Sequence, residues 1–302
     1  MKKTEYKFNN LIDVARCFPN EAACRMFLED MRWNGKPVCP HCGSTDKMYR
    51  IQDGRLLKCA SCRKPFSVKV GTIFEDSALP LQKWFFAMFI VSSHKKGISS
   101  CQLARDISVT QKTAWHMLHR IRLAMETKSF NKSLEGTVEA DETYVGGKHH
   151  KGKRGRGSEN KTVVFGMVAR QGKVRAMPVP DVKRKTLQGL IQKHVAQGSN
   201  VMTDEWTAYN GLNVAYNHQR IGHLKKEYVR GGMHTQNIEN FWSLLKRGII
   251  GIYHHVSADH MHRYTGEFEF RHNNREIKDA DRFINLLKRT QGRLTYQDLV
   301  KG

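Results

Sequence analysis

Two short cysteine pairs constrain this chain more than any other feature. Cys39-Pro40-His41-Cys42 and Cys59-Ala60-Ser61-Cys62 are separated by sixteen residues. That spacing lies in the zinc-ribbon range. Four thiolates, two from each knuckle, complete a tetrahedral shell around Zn²⁺, and a closed shell is structural rather than catalytic. A redox pair is the alternative use of a CxxC motif. The four cysteines already fill the site, so His41 is left out of it. Between the knuckles, Met48–Ile51 and Leu56–Lys58 flank Gln52-Asp53-Gly54-Arg55, and Asp-Gly is a tight-turn dipeptide. A hairpin is expected there, followed by one more strand over Pro65–Val70. Cys17 and Cys24 have no CxxC partner and fall in apolar helical patterns before the ribbon, where small buried thiols are expected.

The chain carries 51 Lys and Arg against 28 Asp and Glu, a formal charge of +23 over 302 residues. Such an excess draws polyanions, DNA or RNA first and anionic membrane surfaces second. No apolar run approaches the ~18 residues of a spanning helix. Met1–Phe8 also lacks the apolar core of a signal peptide, so a cytoplasmic, nucleoid-associated location and no membrane partner are expected. Leu81–Val91 is apolar nearly all round and predicts a buried helix. Ser99 to Gln102 matches a capping box, and Thr110 can cap a further helix with Trp115, Leu118, Ile121 and Met125 on its apolar stripe. Two short helices joined at Ser108-Val109 resemble a helix-turn-helix. Its second helix would then present Gln111, Lys112, His116 and Arg120 to the major groove or its phosphates. An ordinary helical linker with a polar face is the other reading.

The pattern changes near Ser133. Strand-like runs at 136–145, 161–170 and 174–179 precede a helix at 186–197, strands at 201–206 and 216–223, and helices around 236–249 and 259–275. This order predicts an α/β domain with a mixed sheet. The stretch 146–161 holds six Lys and Arg, two histidines, five glycines and one acid, too polar for a core. Lys148, Lys153, Arg154 and Arg156 are its expected phosphate contacts. His149 and His150 are read as part of that solvated loop. Asp141 and Asp204 each end a strand-like run beside a second acid, Glu142 or Glu205. Downstream, Ile238, Phe241, Trp242, Leu245 and Ile249 form one helical stripe, with Glu239 and Lys246 seven apart on another face. Glu239 is expected to be the third carboxylate of a site opened by the two aspartates. Hard oxygen ligands of this kind suit Mg²⁺ or Mn²⁺, in a site distinct from the zinc ribbon. A plain solvated helix face is the alternative for Glu239 and Lys246.

The run His234-Thr235-Gln236-Asn237-Ile238-Glu239-Asn240-Phe241-Trp242-Ser243-Leu244-Leu245-Lys246-Arg247-Gly248, followed by Tyr253-His254-His255-Val256-Ser257, resembles the third motif of bacterial insertion-sequence DDE transposases. Val138–Lys148 around Asp141 resembles the first motif, and Asp204-Glu205 with Trp206-Thr207-Ala208-Tyr209 the second. The closest type is the ISXO-like group, with an N-terminal zinc ribbon and a ribonuclease-H-like catalytic domain. The resemblance spans roughly residues 15 to 280. It implies a layout of N-terminal helices (1–35), zinc ribbon (36–75), helix-turn-helix-like region (78–130), catalytic domain (133–280) and C-terminal tail (281–302). It implies Asp141, Asp204 and Glu239 as ligands of catalytic Mg²⁺ or Mn²⁺, two ions in all. Lys246 is implied as a DNA contact near the reacting phosphate. The implied activity is binding of terminal inverted repeats in double-stranded DNA, metal-dependent cleavage and strand transfer, in a homodimer or larger complex. A DNA-binding regulator on an inactive scaffold and a ribonuclease-H-like nuclease remain the alternatives.

Overall fold

The computed structural model describes residues 8–126, 133–146, 161–221 and 234–300. Lys148, His149, His150, Lys153, Arg154 and Arg156 lie outside the described residues. The chain divides into two compact units, 1–125 with 277–302, and 126–276.

The first unit opens with α1 (Leu11–Cys17) and α2 (Glu21–Trp33). Asn10 and Asn20 cap them, their side-chain oxygens accepting the Asp13 and Ala23 backbone N–H groups at 2.9 Å each. Strands β1 (Met48–Ile51), β2 (Leu56–Cys59) and β3 (Pro65–Phe66) follow as an antiparallel sheet in that order. The expected hairpin is present, turning through Gln52, Asp53 and Gly54, all at positive φ. The strand expected over Pro65–Val70 stops after two residues. Turn hydrogen bonds from Val70 N–H to the Ser67 carbonyl and from Thr72 N–H to that of Lys69 close the backbone on itself there.

Helices α3 (Leu81–Ser93), α4 (Ser100–Asp106) and α5 (Gln111–Met125) come next. The Ser99 hydroxyl accepts the Gln102 N–H, and the Thr110 hydroxyl accepts the Thr113 N–H. Helix α3 is buried on nearly every side, as its composition requires. Its partner comes from the far end of the sequence. The expected tail, 281–302, is over its described residues 281–300 structured within this unit and includes most of α9 (Asp279–Leu287) and α10 (Tyr296–Val300). Phe283 is fully buried and meets Phe8, Phe85 and Phe89 edge-on at 5.6, 5.9 and 5.8 Å. Burying a Phe side chain stabilises by about 1.5–3 kcal/mol, which is reason enough for the segment to dock.

The second unit is a five-stranded mixed sheet between helices. Its strands are β4 (Thr137–Val145), β5 (Thr162–Ala169), β6 (Val174–Val179), β7 (Asn200–Thr203) and β8 (Asn217–Arg220), in the order β6-β5-β4-β7-β8. The first three pair antiparallel, whereas β7 joins β4 and β8 joins β7 in parallel. Alternation along β4 sorts its side chains. Val138 and Ala140 pack with Leu187 and Ile191 of α6 (Arg184–His194) and with Tyr209 from the turn after β7. Val145 lies on the other face with Ile238, Phe241, Trp242 and Leu245 of α7 (Gln236–Gly248) and Phe268 of α8 (Met261–Asn273). The apolar stripe read in the sequence is the buried face of α7.

Candidate active site and metal centre

The four knuckle cysteines are brought together. Their sulfurs all lie within 4.8 Å of one another, with Cys39 to Cys62 at 3.6 Å and Cys42 to Cys59 at 3.8 Å. Zinc–sulfur bonds of about 2.3 Å in a tetrahedron place sulfurs about 3.8 Å apart, so the donor set fits Zn²⁺ in both number and spacing. Trp33, Phe66 and Leu57 pack around the cluster. Its four sulfurs are the full ligand count of a closed structural site.

The central strand β4 positions the first aspartate. Glu139 pairs with Met202 in the parallel β4–β7 register, and Asp141 and Asp204 each stand two residues beyond that pair. Asp141 thus stands midway along β4 and Asp204 just past the end of the shorter β7, level with each other on adjacent parallel strands. The Asp141 carboxylate accepts the Trp242 indole N–H at 2.9 Å. Burial first, then the neighbouring charges of Glu142 and Asp204, push the Asp141 carboxyl up to about 7, against the opposing pull of that indole. Asp204 accepts the Trp206 backbone N–H at 2.9 Å, a short turn that fixes it just past β7. Glu239 lies exposed in the first turn of α7 and accepts the Thr235 hydroxyl at 3.0 Å. Lys246 is exposed two turns further on. Among the described residues the cysteines are the one group of three or more such ligands drawn close enough to hold an ion. Asp141, Asp204 and Glu239 each have a hydrogen-bond donor of their own, in Trp242, the Trp206 backbone and Thr235.

Four further residues brace this region. Glu142 is not a surface acid: it is buried on the α6 side of β4 and accepts the Tyr209 hydroxyl at 2.7 Å. Burial and that carboxylate hold the Tyr209 phenol well above its ordinary range, so it stays a donor. The bond ties the turn after Asp204 to the strand bearing Asp141. Glu139, fully buried on the α7 side, receives Arg170 at 2.9 Å and the N-terminus of α7. Trp242 is the fourth, and it fits because its neighbour on β5, Gly166, has no side chain. Strict alternation from Asp141 points to Glu139, since the two share a face of β4, but nothing local signals its partners 31 and 98 residues away.

The expected DNA-reading face of α5 is only partly open. Gln111 and Lys112 are exposed; Gln111 donates to the Ser100 hydroxyl, and the Lys112 ammonium lies 4.8 Å over the Tyr296 ring. His116 is half-buried, its ring 5.8 Å from Tyr296, and burial followed by Arg120 lowers its pKa. Arg120 does not face a groove. It is buried, lies 5.3 Å over the Trp84 ring and donates to the Glu75 carbonyl. The C-terminal helix α10 and the segment before α3 cover His116 and Arg120, two of the four positions that helical spacing alone assigns to DNA.

Comparison with known proteins fits both units. Residues 133–273 match the ISXO2-like transposase domain, and residues 19–65 match the transposase zinc-ribbon domain. A protein in transposable element ISH50 of Halobacterium salinarum is 28% identical over 277 residues, covering 85% of this chain and 92% of the relative. A transposase-like protein of Haemophilus influenzae is 33% identical over 117 residues, 38% of this chain and 91% of that relative. The crystal structure of the Mos1 mariner paired end complex with Mn aligns with 64% of this chain and 71% of its own at 12% identity and a TM-score of 0.28, which supports no inference. With the zinc-ribbon and transposase domains both matched, and the Haemophilus relative covered nearly end to end, the chain belongs to the ISXO2-like transposase family.

Proposed function

We propose that this protein moves an insertion sequence by binding its terminal inverted repeats in double-stranded DNA, cleaving the ends and joining them to target DNA. Asp141, Asp204 and Glu239 would hold Mg²⁺ or Mn²⁺, two ions in all. The observation that carries this is that Asp141, midway along β4, and Asp204, just past β7, stand level on adjacent parallel strands, with α7 tied by Trp242 to Asp141. The donors are hard oxygens, as those cations require. Lowering the cost of ionising Asp141 beside Glu142 and Asp204 is the electrostatic service a cation would render there. When bound, divalent ions supply activation of the attacking water or 3′-hydroxyl and stabilisation of the leaving oxygen.

The chain's own residues do the rest. Tyr209 and Glu142 hold the Asp204 turn against β4, and Trp242 orients the Asp141 carboxylate. Lys246 contacts DNA near the reacting phosphate. Gln111 and Lys112, with the basic stretch carrying Lys148, Lys153, Arg154 and Arg156, supply further DNA contacts, consistent with the charge of +23. The mixed sheet supports the ribonuclease-H-like reading of residues 133–280. Two ends must be joined, so the active complex is at least a homodimer, acting on the nucleoid in the cytoplasm. Among the described residues, no helix is long and apolar enough to cross a membrane.

The test supplies purified protein with DNA bearing the inverted repeat that flanks its coding region, with and without Mn²⁺. Metal-dependent nicking and joining are expected, lost in Asp141→Ala and Glu239→Ala. Activity that persists in those variants would overturn the assignment, and end binding without cleavage by the unaltered chain would favour a regulator.

A further inference from the structure

Glu139 is fully buried on the central strand, and every polar contact it makes runs toward the N-terminus of α7 or toward Arg170. One carboxylate oxygen accepts the backbone N–H groups of Asn237 at 2.8 Å and Ile238 at 3.1 Å. These are two of the first-turn donors that have no partner inside a helix. The other oxygen accepts the Asn237 side-chain amide at 2.8 Å and the Arg170 Nε–H at 2.9 Å, and the His234 Nδ1 lies 3.3 Å away. Arg170 in turn donates to the His234 carbonyl at 2.9 Å and reaches the Met202 sulfur on β7 at 3.0 Å. Thr235, the residue before α7, offers no side-chain cap to the backbone of its own helix. A carboxylate 98 residues upstream does that work, and its charge complements the positive end of the helix.

This placing has a consequence for the proposed metal site. Glu139 and Asp141 are alternate residues on one face of β4, so the strand grips α7 twice: at its first turn through Glu139 and one turn later through Asp141 and Trp242. Glu239 sits in the turn between the two grips. We propose that Glu139 is a positioning residue that fixes the first turn of α7, and thereby sets where Glu239 stands relative to Asp141 and Asp204. The proposal rests on reading those three carboxylates as metal ligands. Glu139 itself touches neither metal nor DNA; its oxygens are spent on the helix and on Arg170.

Two measurements test it. In the full-length protein, amide hydrogen exchange at Asn237 and Ile238 should quicken in Glu139→Ala relative to the rest of α7, and less so in Glu139→Gln, which keeps an acceptor oxygen. This readout needs no metal and no activity. Mn²⁺ binding, followed by the electron paramagnetic resonance of the free ion with end DNA present, should weaken about 10-fold in Glu139→Ala and by less in Glu139→Gln, in the range typical of groups that support metal ligands. Asn273→Ala is the control for general loosening. It removes the two hydrogen bonds that tie the end of α8 to Val174 on β6, involves none of the partners of Glu139, and should leave Mn²⁺ binding unchanged. If Glu139→Ala fails to fold, the Glu139→Gln series carries the test. Unaltered exchange at Asn237 and Ile238, or a Mn²⁺ curve that overlays the wild type, would overturn the clamp, as would an equal shift in Asn273→Ala. Quickened exchange in a protein whose wild type binds no Mn²⁺ would instead leave the clamp on α7 standing and sink the metal reading, and with it the link to Glu239.

Discussion

Replacing Gly166 with alanine should disturb Asp141 without touching it. Gly166 stands directly across from Asp141 in the β4–β5 register, beneath the Trp242 indole. A Cβ there would lie 2.4 and 2.7 Å from two carbons of that ring and 3.0 Å from the Ile238 Cδ1, where 3.4–4 Å is ordinary contact. The ring must therefore retreat by about 1 Å, and both it and Ile238 are buried with little room to do so. Overpacking of this kind costs about 1–3 kcal/mol. Displacing the indole also threatens its 2.9 Å bond to Asp141, and a hydrogen bond of this kind contributes about 0.5–1.5 kcal/mol, more once the carboxyl is ionised. A total loss of about 3 kcal/mol is expected, read from urea denaturation followed through the second unit. The Trp242 indole N–H resonance should shift in the folded variant. The same substitution in a Trp242→Phe background should cost at least about 1 kcal/mol less, because the clashing ring is gone. A Gly166→Ala protein with wild-type stability and an unmoved indole resonance would refute the reasoning, as would an undiminished cost in the Trp242→Phe background.

Other consequences are equally direct. Asp141 holds its proton up to about 7 when folded against an ordinary 3.8, so between those values the folded chain binds a proton that the unfolded chain has lost. Without added Mg²⁺ or Mn²⁺, stability should thus fall as pH rises through that window, and Asp141→Asn should flatten the fall; identical pH slopes in urea midpoints would contradict this. Phe283→Ala should destabilise the first unit by about 3–5 kcal/mol, and deletion of 281–302 should do more; a truncated chain melting like the full one would show that α9 is not part of that core. Purified under reducing conditions, the protein should carry close to one zinc per chain. Cys39→Ser or Cys62→Ser should abolish that zinc and expose the ribbon to proteolysis, while an unchanged metal content would remove the site.

How far the sequence speaks depends on the distance between the residues that cause a feature. The knuckle spacing and the Asp53-Gly54 turn are local, and the hairpin they predict forms in place. The order of strands and helices after Ser133 is written in apolar periodicity and is legible within a few residues at each boundary. The α7 stripe is likewise readable, because helix spacing alone decides which residues are buried. Partners that meet from afar are not readable. Arg120 falls on what helical spacing makes a polar face, yet Trp84 and the Glu75 carbonyl, 45 residues upstream, bury it. Phe283 sits in a short amphipathic stretch whose core lies some 200 residues away in α3. Glu142 reads as one acid of an acidic pair until Tyr209 arrives from the turn after β7, 67 residues on. Glu139 reads as a strand charge until the helix it caps is known.

The central claim is that Asp141, Asp204 and Glu239 together bind the divalent ions that cut and join DNA. The most direct measurement is the anomalous scattering of Mn²⁺ in crystals of the protein with an inverted-repeat DNA end. Anomalous peaks are expected about 2.1 Å from carboxylate oxygens of all three residues and absent in Asp141→Asn. Mn²⁺ found elsewhere on the chain, or held at this place when Asp141 is neutralised, would contradict it.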